Sequence, residues 1–410
     1  MKKSIAIIGS GPAAMMLAAT LDEKAFDVTI YERNSAPARK FLVAGDGGFN
    51  LTHSENIEQF ISRYTPSHFL EKSILSFNNS DLRNWLNDIG IETFIGTSKR
   101  VFPVKPIKPI DVLNALLNKL KTKNVQLKTK MEWIGWADKG GLLFQNDNKE
   151  LIVKADMTVF ALGGSSWSKT GSTGNWTDYF TKKNIAIVPF QPSNCAYQVK
   201  WTTNFQLLAA GKPLKNISVF FDGIEKKGEV VVTQFGIEGG AVYALSPKIR
   251  QQLNKNNIAE ICIDLKPTLT AEVVKAKLNS PGNKTITNLL SYELKLNNVS
   301  IALLKSILTK EEFTNTTLLA GKIKQLPLQI AGMAPIDEAI STVGGIALNE
   351  MDEDFQFKKL PGHFAIGEML DWDAPTGGYL LQGCFSMGHY LAQQLNDGKN
   401  GTEEKSRKPN

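Results

Sequence analysis

The chain opens with a short apolar run at residues 4–8, which leads into a glycine-rich turn at residues 9–14. Apolar residues then recur at helical spacing through residues 13–23, and residues 27–31 (Asp-Val-Thr-Ile-Tyr) have the pattern of a second strand. This order predicts a strand, a turn, a helix and a second strand. The first residues therefore begin the parallel sheet of an α/β protein.

The pattern changes further along the chain. Residues 57–94 have mainly helical spacing, and residues 125–154 alternate apolar and polar positions between turns, which predicts a small β-meander. Residues 217–235 are strand-rich, and residues 268–325 are rich in lysine and leucine at helical spacing. Glycine and aromatic residues return near residues 332–388.

These changes predict a Rossmann-like α/β domain that is split in sequence. Its N-terminal part spans residues 1–190 and its C-terminal part residues 326–400. Residues 191–325 form an inserted α+β substrate or cap domain, first strand-rich and then helical, and residues 401–410 form a flexible tail.

Composition narrows the class of protein. The 410 residues fit two or three domains, and 42% hydrophobic with 21% charged residues is ordinary for a globular protein. The net charge of +7 helps attract anions but is too diffuse to indicate nucleic acid. Three separated cysteines (Cys195, Cys262 and Cys384) and four scattered histidines predict no disulfide framework and no metal site. We expect a cytoplasmic protein without a membrane span.

The turn at residues 9–14 has the form G-x-G-x-x-A. Gly9 permits the tight turn, Gly11 allows backbone to approach a pyrophosphate, and Ala14 lets helix and strand pack closely. Glu32 ends the second strand 23 residues after Gly9, where a carboxylate accepts both ribose hydroxyls of an adenosine and repels a 2′-phosphate. The motif predicts a dinucleotide, and by itself leaves FAD and NAD open.

Six sequence blocks resemble the bacterial FAD-binding family that includes YhiN, BaiN and the aminoacetone oxidases, within the wider fumarate-reductase-like flavoproteins. They occur in family order over residues 4–395. The blocks are the N-terminal turn with Tyr31–Arg33, Ala38–His53, Arg100–Pro103, Ala161–Gly174, Ser341–Ile346 with Gly367–Asp371, and Thr376–Gln382.

The resemblance implies non-covalent FAD. Arg39 and Lys40, after the second strand, are suited to bind the diphosphate. Gly45, Gly47 and Gly48 in the next loop allow the backbone to contact a flat ring, and Glu368 is expected to bind the ribityl chain. The last block implies a helix N-terminus at the flavin pyrimidine edge, with Gly377 and Gly378 in contact with the ring. The predicted cofactor-binding residues are Gly9, Gly11, Pro12, Ala13, Ala14, Glu32, Arg33, Arg39, Lys40, Gly45, Gly47, Gly48, Asn50, Leu51, Ala161, Gly163, Gly164, Gly367, Glu368, Thr376, Gly377, Gly378 and Tyr379.

The chain departs from the family pattern at a few positions. Gly48 and Phe49 replace an arginine and a cysteine, which excludes a cysteine mechanism there. Glu368 stands where the wider class has aspartate, although the closer family also uses glutamate. Asp46 is expected to be a turn residue rather than a site residue, and Cys384 is expected to pack in the core.

The function expected from this is an FAD-dependent oxidoreductase that exchanges a hydride or electron pair with a small molecule. NADH or NADPH could serve as a transient donor, although residues 191–325 contain no second dinucleotide motif. The alternatives are a small-amine oxidase that releases peroxide, an RNA-modifying flavoprotein and a non-enzymatic flavin-bound regulator. We expect no nucleic-acid or membrane partner, and the sequence identifies no catalytic residue, no substrate and no oligomeric state.

Overall fold

The computed structural model describes residues 1–43, 48–147, 149–280 and 284–404. The chain forms two compact units. Met1–Gln191 and Ser341–Asn410 form the first, and Pro192–Ile340, inserted between them, forms the second. The predicted Rossmann-like fold, split in sequence by an inserted domain, is therefore confirmed.

A five-stranded sheet lies at the centre of the first unit. All its strands are parallel and follow the order β20-β10-β1-β2-β6. Ile5, Ile7 and Ile8 are almost fully buried, as expected for a sheet covered on both faces. The strands are β1 (Lys3–Ile8), β2 (Phe26–Tyr31), β6 (Gln126–Lys128), β10 (Met157–Phe160) and β20 (His363–Ala365).

Two helices of the first unit pack closely on one another. They are the first helix, which begins at Pro12, and the last, which begins at Tyr379. Gly388 permits this approach, since a Cβ there would meet the Leu17 nitrogen at 2.9 Å. The helices of this unit are α1 (Pro12–Thr20), α2 (Ile57–Ile61), α3 (Ser67–Ser76), α4 (Asn79–Asp88), α5 (Pro109–Thr122), α6 (Thr177–Thr181) and α15 (Tyr379–Glu404).

Three smaller sheets are formed by strands that lie between those of the parallel sheet along the chain. Two are three-stranded and antiparallel, with orders β3-β5-β4 and β7-β8-β9, and the third is a pair, β11-β19. Their strands are β3 (Thr52–His53), β4 (Thr93–Ile95), β5 (Arg100–Pro103), β7 (Glu132–Trp136), β8 (Leu142–Asn146), β9 (Lys149–Val153), β11 (Ile187–Ser193) and β19 (Ser341–Ile346).

The second unit has a seven-stranded sheet and its own apolar core. Its strands are β12 (Tyr197–Gln198), β13 (Pro213–Phe221), β14 (Ile224–Val232), β15 (Gly236–Glu238), β16 (Ala259–Asp264), β17 (Leu326–Ile330) and β18 (Gly332–Met333). Its helices are α7 (Thr203–Ala209), α8 (Gly240–Tyr243), α9 (Ser246–Asn256), α10 (Ala271–Leu278), α11 (Ile286–Asn288, continued by a π-helix at Leu289–Glu293), α12 (Asn298–Ile307), α13 (Lys310–Thr314) and α14 (Thr316–Lys324).

The inserted unit ends at Ile340, 15 residues beyond the boundary expected at residue 325. The physical reason is that β17 pairs with β16 along its whole length, so residues 326–330 complete the sheet of the inserted unit. Within the residues that the structure describes, no helix is both long and apolar enough to cross a membrane.

Candidate functional site

A cavity of about 290 Å³ lies in the first unit, at the carboxyl ends of the parallel strands. Ile8 and Tyr31 border it where β1 and β2 end, and Ala161 and Ile366 border it just after β10 and β20. Ligands of open α/β sheets bind at this edge.

Gly9 and Gly11 both line the cavity, for different reasons. Gly9 has φ +99°, and a Cβ there would collide with the Ala161 carbonyl oxygen, so the fold itself requires this glycine. Gly11 has an ordinary φ of −71°, and a Cβ there would meet no protein atom within 4 Å. The space beside Gly11 therefore remains open on the cavity side, directly before Pro12 and Ala13 at the start of α1, where no side chain caps the helix.

The Glu32 carboxylate is 7% exposed and is held in place by its neighbours. The Ser10 hydroxyl donates to Oε2, and the backbone and side-chain N–H groups of Asn34 both donate to Oε1 at 2.8 Å. Since a carboxylate has about four acceptor positions, acceptor capacity remains for a ligand hydroxyl. This geometry fits the predicted ribose contact.

Three predicted cations border the cavity, and their partners differ. The Lys40 ammonium donates to Glu368 Oε2 at 2.8 Å and Oε1 at 3.0 Å, so its charge is matched by a buried carboxylate. Arg33 lies 3.8 Å from Glu132, also a carboxylate. Arg39 donates only to the neutral side chain of Asn34, at 3.3 Å, among the contacts found for the described residues. Arg39 is therefore the cation best suited to an anionic ligand.

The Lys40–Glu368 pair belongs to a larger polar cluster. Lys40 also donates to the Ser166 hydroxyl at 2.9 Å, and the Thr342 backbone N–H donates to Glu368 at 3.1 Å. Residues from both sequence segments of the first unit thus fix the Glu368 carboxylate, next to Gly367, at the cavity wall.

Cys384 is both buried and part of the cavity wall. Burial raises the pKa of its thiol to about 12, so the thiol is neutral near pH 7 and is not an activated nucleophile. Its packing role was expected, whereas its place beside Gly367 at the cavity was not.

Aromatic residues form another part of the wall, which includes Trp133, Trp176 and Tyr179. Trp133 Nε1 and Ser172 Oγ are buried and have no hydrogen-bond partner among the described residues. Leaving such groups unpaired costs about 1–3 kcal/mol each, so a polar ligand here would relieve that cost. An aromatic wall with unpaired polar atoms suits a flat heterocycle such as adenine. The alternating pattern at residues 132–136 indicated only a strand, so the sequence did not reveal this part of the site.

Several predicted residues lie away from this cavity. Ala14 packs in the core, and Gly164 is needed because its missing Cβ would overlap the Thr342 hydroxyl. The other described residues that were predicted but do not border the cavity are Gly48, Asn50, Leu51, Thr376, Gly377, Gly378 and Tyr379. Gly45 and Gly47, together with Asp46, lie outside the described residues.

A buried ionic cluster holds the start of α15, and the sequence did not reveal it. Glu55, whose side chain is 4% exposed, accepts two hydrogen bonds from Arg63 at 2.8 and 3.0 Å and one from the Tyr379 hydroxyl at 2.5 Å. The Tyr64 hydroxyl donates to the Tyr379 carbonyl at 2.8 Å. Tyr379 is therefore an anchor of the helix, and its hydroxyl is already engaged.

The residues just before α15 are in close contact with β3. Gly377 and Gly378 have φ +110° and +99°, and a Cβ on Gly378 would lie 2.5 Å from the Thr52 Cα. The resemblance implied that both glycines contact a flavin ring. At Gly378 the place of a side chain is occupied by Thr52 backbone, so the fold itself requires this glycine.

The parallel sheet, the glycine turn before α1 and the held carboxylate of Glu32 define a Rossmann-type dinucleotide-binding protein. The chain belongs to the HI0933-like protein Rossmann domain family, whose sequence profile matches residues 3–394. The resemblance found in the six sequence blocks is thus confirmed.

Curated relatives cover nearly the whole chain. It is 23% identical to the ribosomal RNA dihydrouridine synthase of Escherichia coli K12, over 95% of this chain and 97% of that protein. It is 22% identical to the 3-dehydro-bile acid delta(4,6)-reductase of Clostridium scindens, again over 95% and 97%. Among solved structures, the open conformation of a flavocytochrome c3 fumarate reductase matches with a TM-score of 0.49 at 13% identity, over 97% of this chain and 78% of that chain.

Proposed function

We propose that this protein binds FAD without a covalent bond and is an FAD-dependent oxidoreductase. The observation that carries the proposal is the open space beside Gly11 at the N-terminus of α1, in one cavity with Glu32 and Arg39. Bound FAD supplies the chemistry by accepting or donating a hydride or an electron pair.

Different residues of the cavity bind different parts of FAD. The α1 N-terminus and Arg39 bind the diphosphate, and Glu32 accepts the adenosine ribose hydroxyls. Trp133 and Ser172 bind the adenine, and Glu368, held by Lys40, accepts hydroxyls of the ribityl chain.

We further propose that the substrate carries a carbon–carbon double bond conjugated to a carbonyl. Two relatives support this substrate class, because both names describe the reduction of such a bond system. Dihydrouridine is uridine whose ring double bond next to a carbonyl has been reduced, and the other relative is named as a delta(4,6)-reductase of a 3-dehydro-bile acid. In such a reduction a hydride adds to the carbon of the double bond that is farther from the carbonyl. The negative charge is then delocalised onto the carbonyl oxygen, and a proton added to the other carbon completes the reduction.

The experiment begins with the purified protein. Heat release followed by chromatography should yield FAD, and recovery of FMN alone, or of no flavin, contradicts the cofactor assignment. Anaerobic stopped-flow mixing with NADH or NADPH then tests the electron donor. Reoxidation of the reduced protein by cyclic enones, compared with their saturated analogues, tests the substrate class. Oxygen uptake with small amines tests the oxidase alternative, and faster flavin reduction by an amine than by a nicotinamide would favour it.

RNA modification is the second candidate function. Two relatives named ribosomal RNA dihydrouridine synthase support it, as does the charge of the inserted unit. Residues 192–340 contain 17 lysines and arginines against 12 aspartates and glutamates, so this unit carries +5 of the total +7. Salt-dependent binding of ribosomal RNA, with dihydrouridine formed by the reduced protein, would favour this candidate over a free small molecule.

A further inference from the structure

Arg100 differs from the other arginines that the structure describes. Arg33, Arg39, Arg63, Arg83 and Arg250 each donate a side-chain hydrogen bond. The Arg100 guanidinium makes no hydrogen bond and no ion pair with any residue that the structure describes, although the side chain is half-buried. Its five N–H donors are therefore available to an anionic or carbonyl-bearing ligand.

The segments next to Arg100 give it no carboxylate partner among the described residues, and they contain further unpaired polar groups. Its Nε lies 3.3 Å from the position that a Gly377 Cβ would occupy, directly before α15. On the neighbouring strand β3, Thr52 is fully buried and its hydroxyl has no partner among the described residues. The buried Oδ1 atom of Asn50, two residues earlier, has none there either. The buried carboxylate of Glu55, two residues after β3, is already paired with Arg63 and Tyr379.

The position of Arg100 relative to the cavity indicates which ligand it meets. Cys384 borders the cavity beside Gly367, and Gly378 lies six residues earlier, just before the same helix. At 1.5 Å per residue, Gly378 is about 9 Å farther along the helix axis. If the ribityl chain binds at Glu368, as proposed, a flavin ring that extends towards the start of α15 would reach Arg100.

We propose that Arg100 binds the pyrimidine edge of the flavin ring and stabilises the negative charge that this edge carries after reduction. The proposal rests on the proposed FAD-dependent function. Arg100 acts together with the backbone N–H groups at the start of α15, which favour an anion for the same electrostatic reason.

The test uses the FAD-loaded protein and two properties that need no substrate. One is the two-electron reduction potential of the flavin, and the other is the affinity of the oxidised flavin for sulfite, whose addition leaves negative charge on the pyrimidine ring. We expect Arg100→Met to weaken sulfite binding about tenfold and to lower the potential by the equivalent of about 30 mV. Arg100→Lys, which keeps the charge, should stay within threefold of the unsubstituted protein.

Arg83→Met is the matched control. Arg83 is also half-buried and contacts the same three-stranded sheet, since it donates to the Thr93 hydroxyl at 3.1 Å. Its replacement should change neither the potential nor the sulfite affinity, whereas equal shifts in both variants would overturn the proposal.

Other results also decide the question. If the unsubstituted protein binds FAD and Arg100→Met has the same potential and sulfite affinity, the proposal is wrong while the proposed function stands. An unchanged potential together with a higher KM for the cyclic enones would show that Arg100 binds the substrate instead of the flavin. If neither Arg100→Met nor Arg100→Gln folds, the role of Arg100 is structural. A protein without FAD would contradict the proposed function itself.

Discussion

Gly11 and Gly378 each stand one residue before a helix of the first unit, yet their environments are opposite. Gly11 has φ −71°, and its missing Cβ points into space free of protein atoms. Gly378 has φ +99°, and its missing Cβ would lie 2.5 Å from the Thr52 Cα. One glycine leaves open space at the cavity, and the other leaves space that the protein itself fills. The comparison teaches that similar glycine motifs acquire different roles through what packs against them.

The largest expected effect is at Gly378. Gly378→Ala should destabilise the protein by about 3 kcal/mol or more, because the new Cβ overlaps backbone and the positive φ is strained. Gly377→Ala is the matched control, since it has a similar φ but would meet side chains rather than backbone, namely Arg100 at 3.3 Å and Tyr379 at 3.6 Å. Thermal unfolding of both proteins measures the difference, and equal losses would show that the Thr52 contact has no effect.

A medium effect is expected from the cluster that anchors α15. Glu55→Gln should destabilise the protein by about 1–3 kcal/mol, because it weakens the hydrogen bonds from Arg63 and Tyr379 to a charged acceptor. Glu58→Gln, an exposed change on the nearby helix α2, is the control. Denaturant unfolding at pH 7 compares the two, and a loss no greater for Glu55→Gln than for Glu58→Gln contradicts the anchoring role.

The same cluster predicts a pH dependence. Burial opposes ionisation of Glu55, but the hydrogen bonds from Arg63 and Tyr379 outweigh burial and lower its pKa below the usual 4.5. The folded protein therefore binds this proton more weakly than the unfolded chain, so the stabilisation is complete above about pH 4.5 and is lost as the pH falls further. Unfolding followed from pH 6 to pH 3 should be less acid-sensitive in Glu55→Gln, and identical pH profiles would refute the assignment.

The smallest effect on stability is expected at Gly11. Gly11→Ala should change the stability of the FAD-free protein by less than about 1 kcal/mol, since its φ suits any residue and its Cβ meets no protein atom. FAD affinity should nevertheless fall at least tenfold, because the methyl group occupies the place of the diphosphate. Gly321→Ala, an exposed glycine of the inserted unit whose Cβ would also meet nothing, should bind FAD normally. Unchanged FAD titration for Gly11→Ala would remove the main support for the site.

Much of the binding site was predictable because its parts are local. The turn before α1 and Glu32, directly after β2, both lie in the first 32 residues of the chain. Their spacing depends only on one βαβ unit. The cavity does include Gly9, Gly11, Glu32 and Arg39. The Trp133 wall was not predictable, because its strand belongs to a separate small sheet whose approach to the cavity depends on tertiary packing.

The sequence by itself determined the fold class, the dinucleotide turn and the family, because these depend on short motifs and on hydrophobic periodicity. Only the tertiary structure decided which charges are matched and which glycines border open space. Lys40 meets a carboxylate 328 positions away, and Glu55 meets a hydroxyl 324 positions away. Arg100 is also a charged residue, but it has no hydrogen-bond or ion-pair partner among the described residues, and nothing in the local sequence distinguishes it from Lys40 or Glu55. Pairing over such distances depends on how sheets and helices pack, and no local pattern along the chain encodes it.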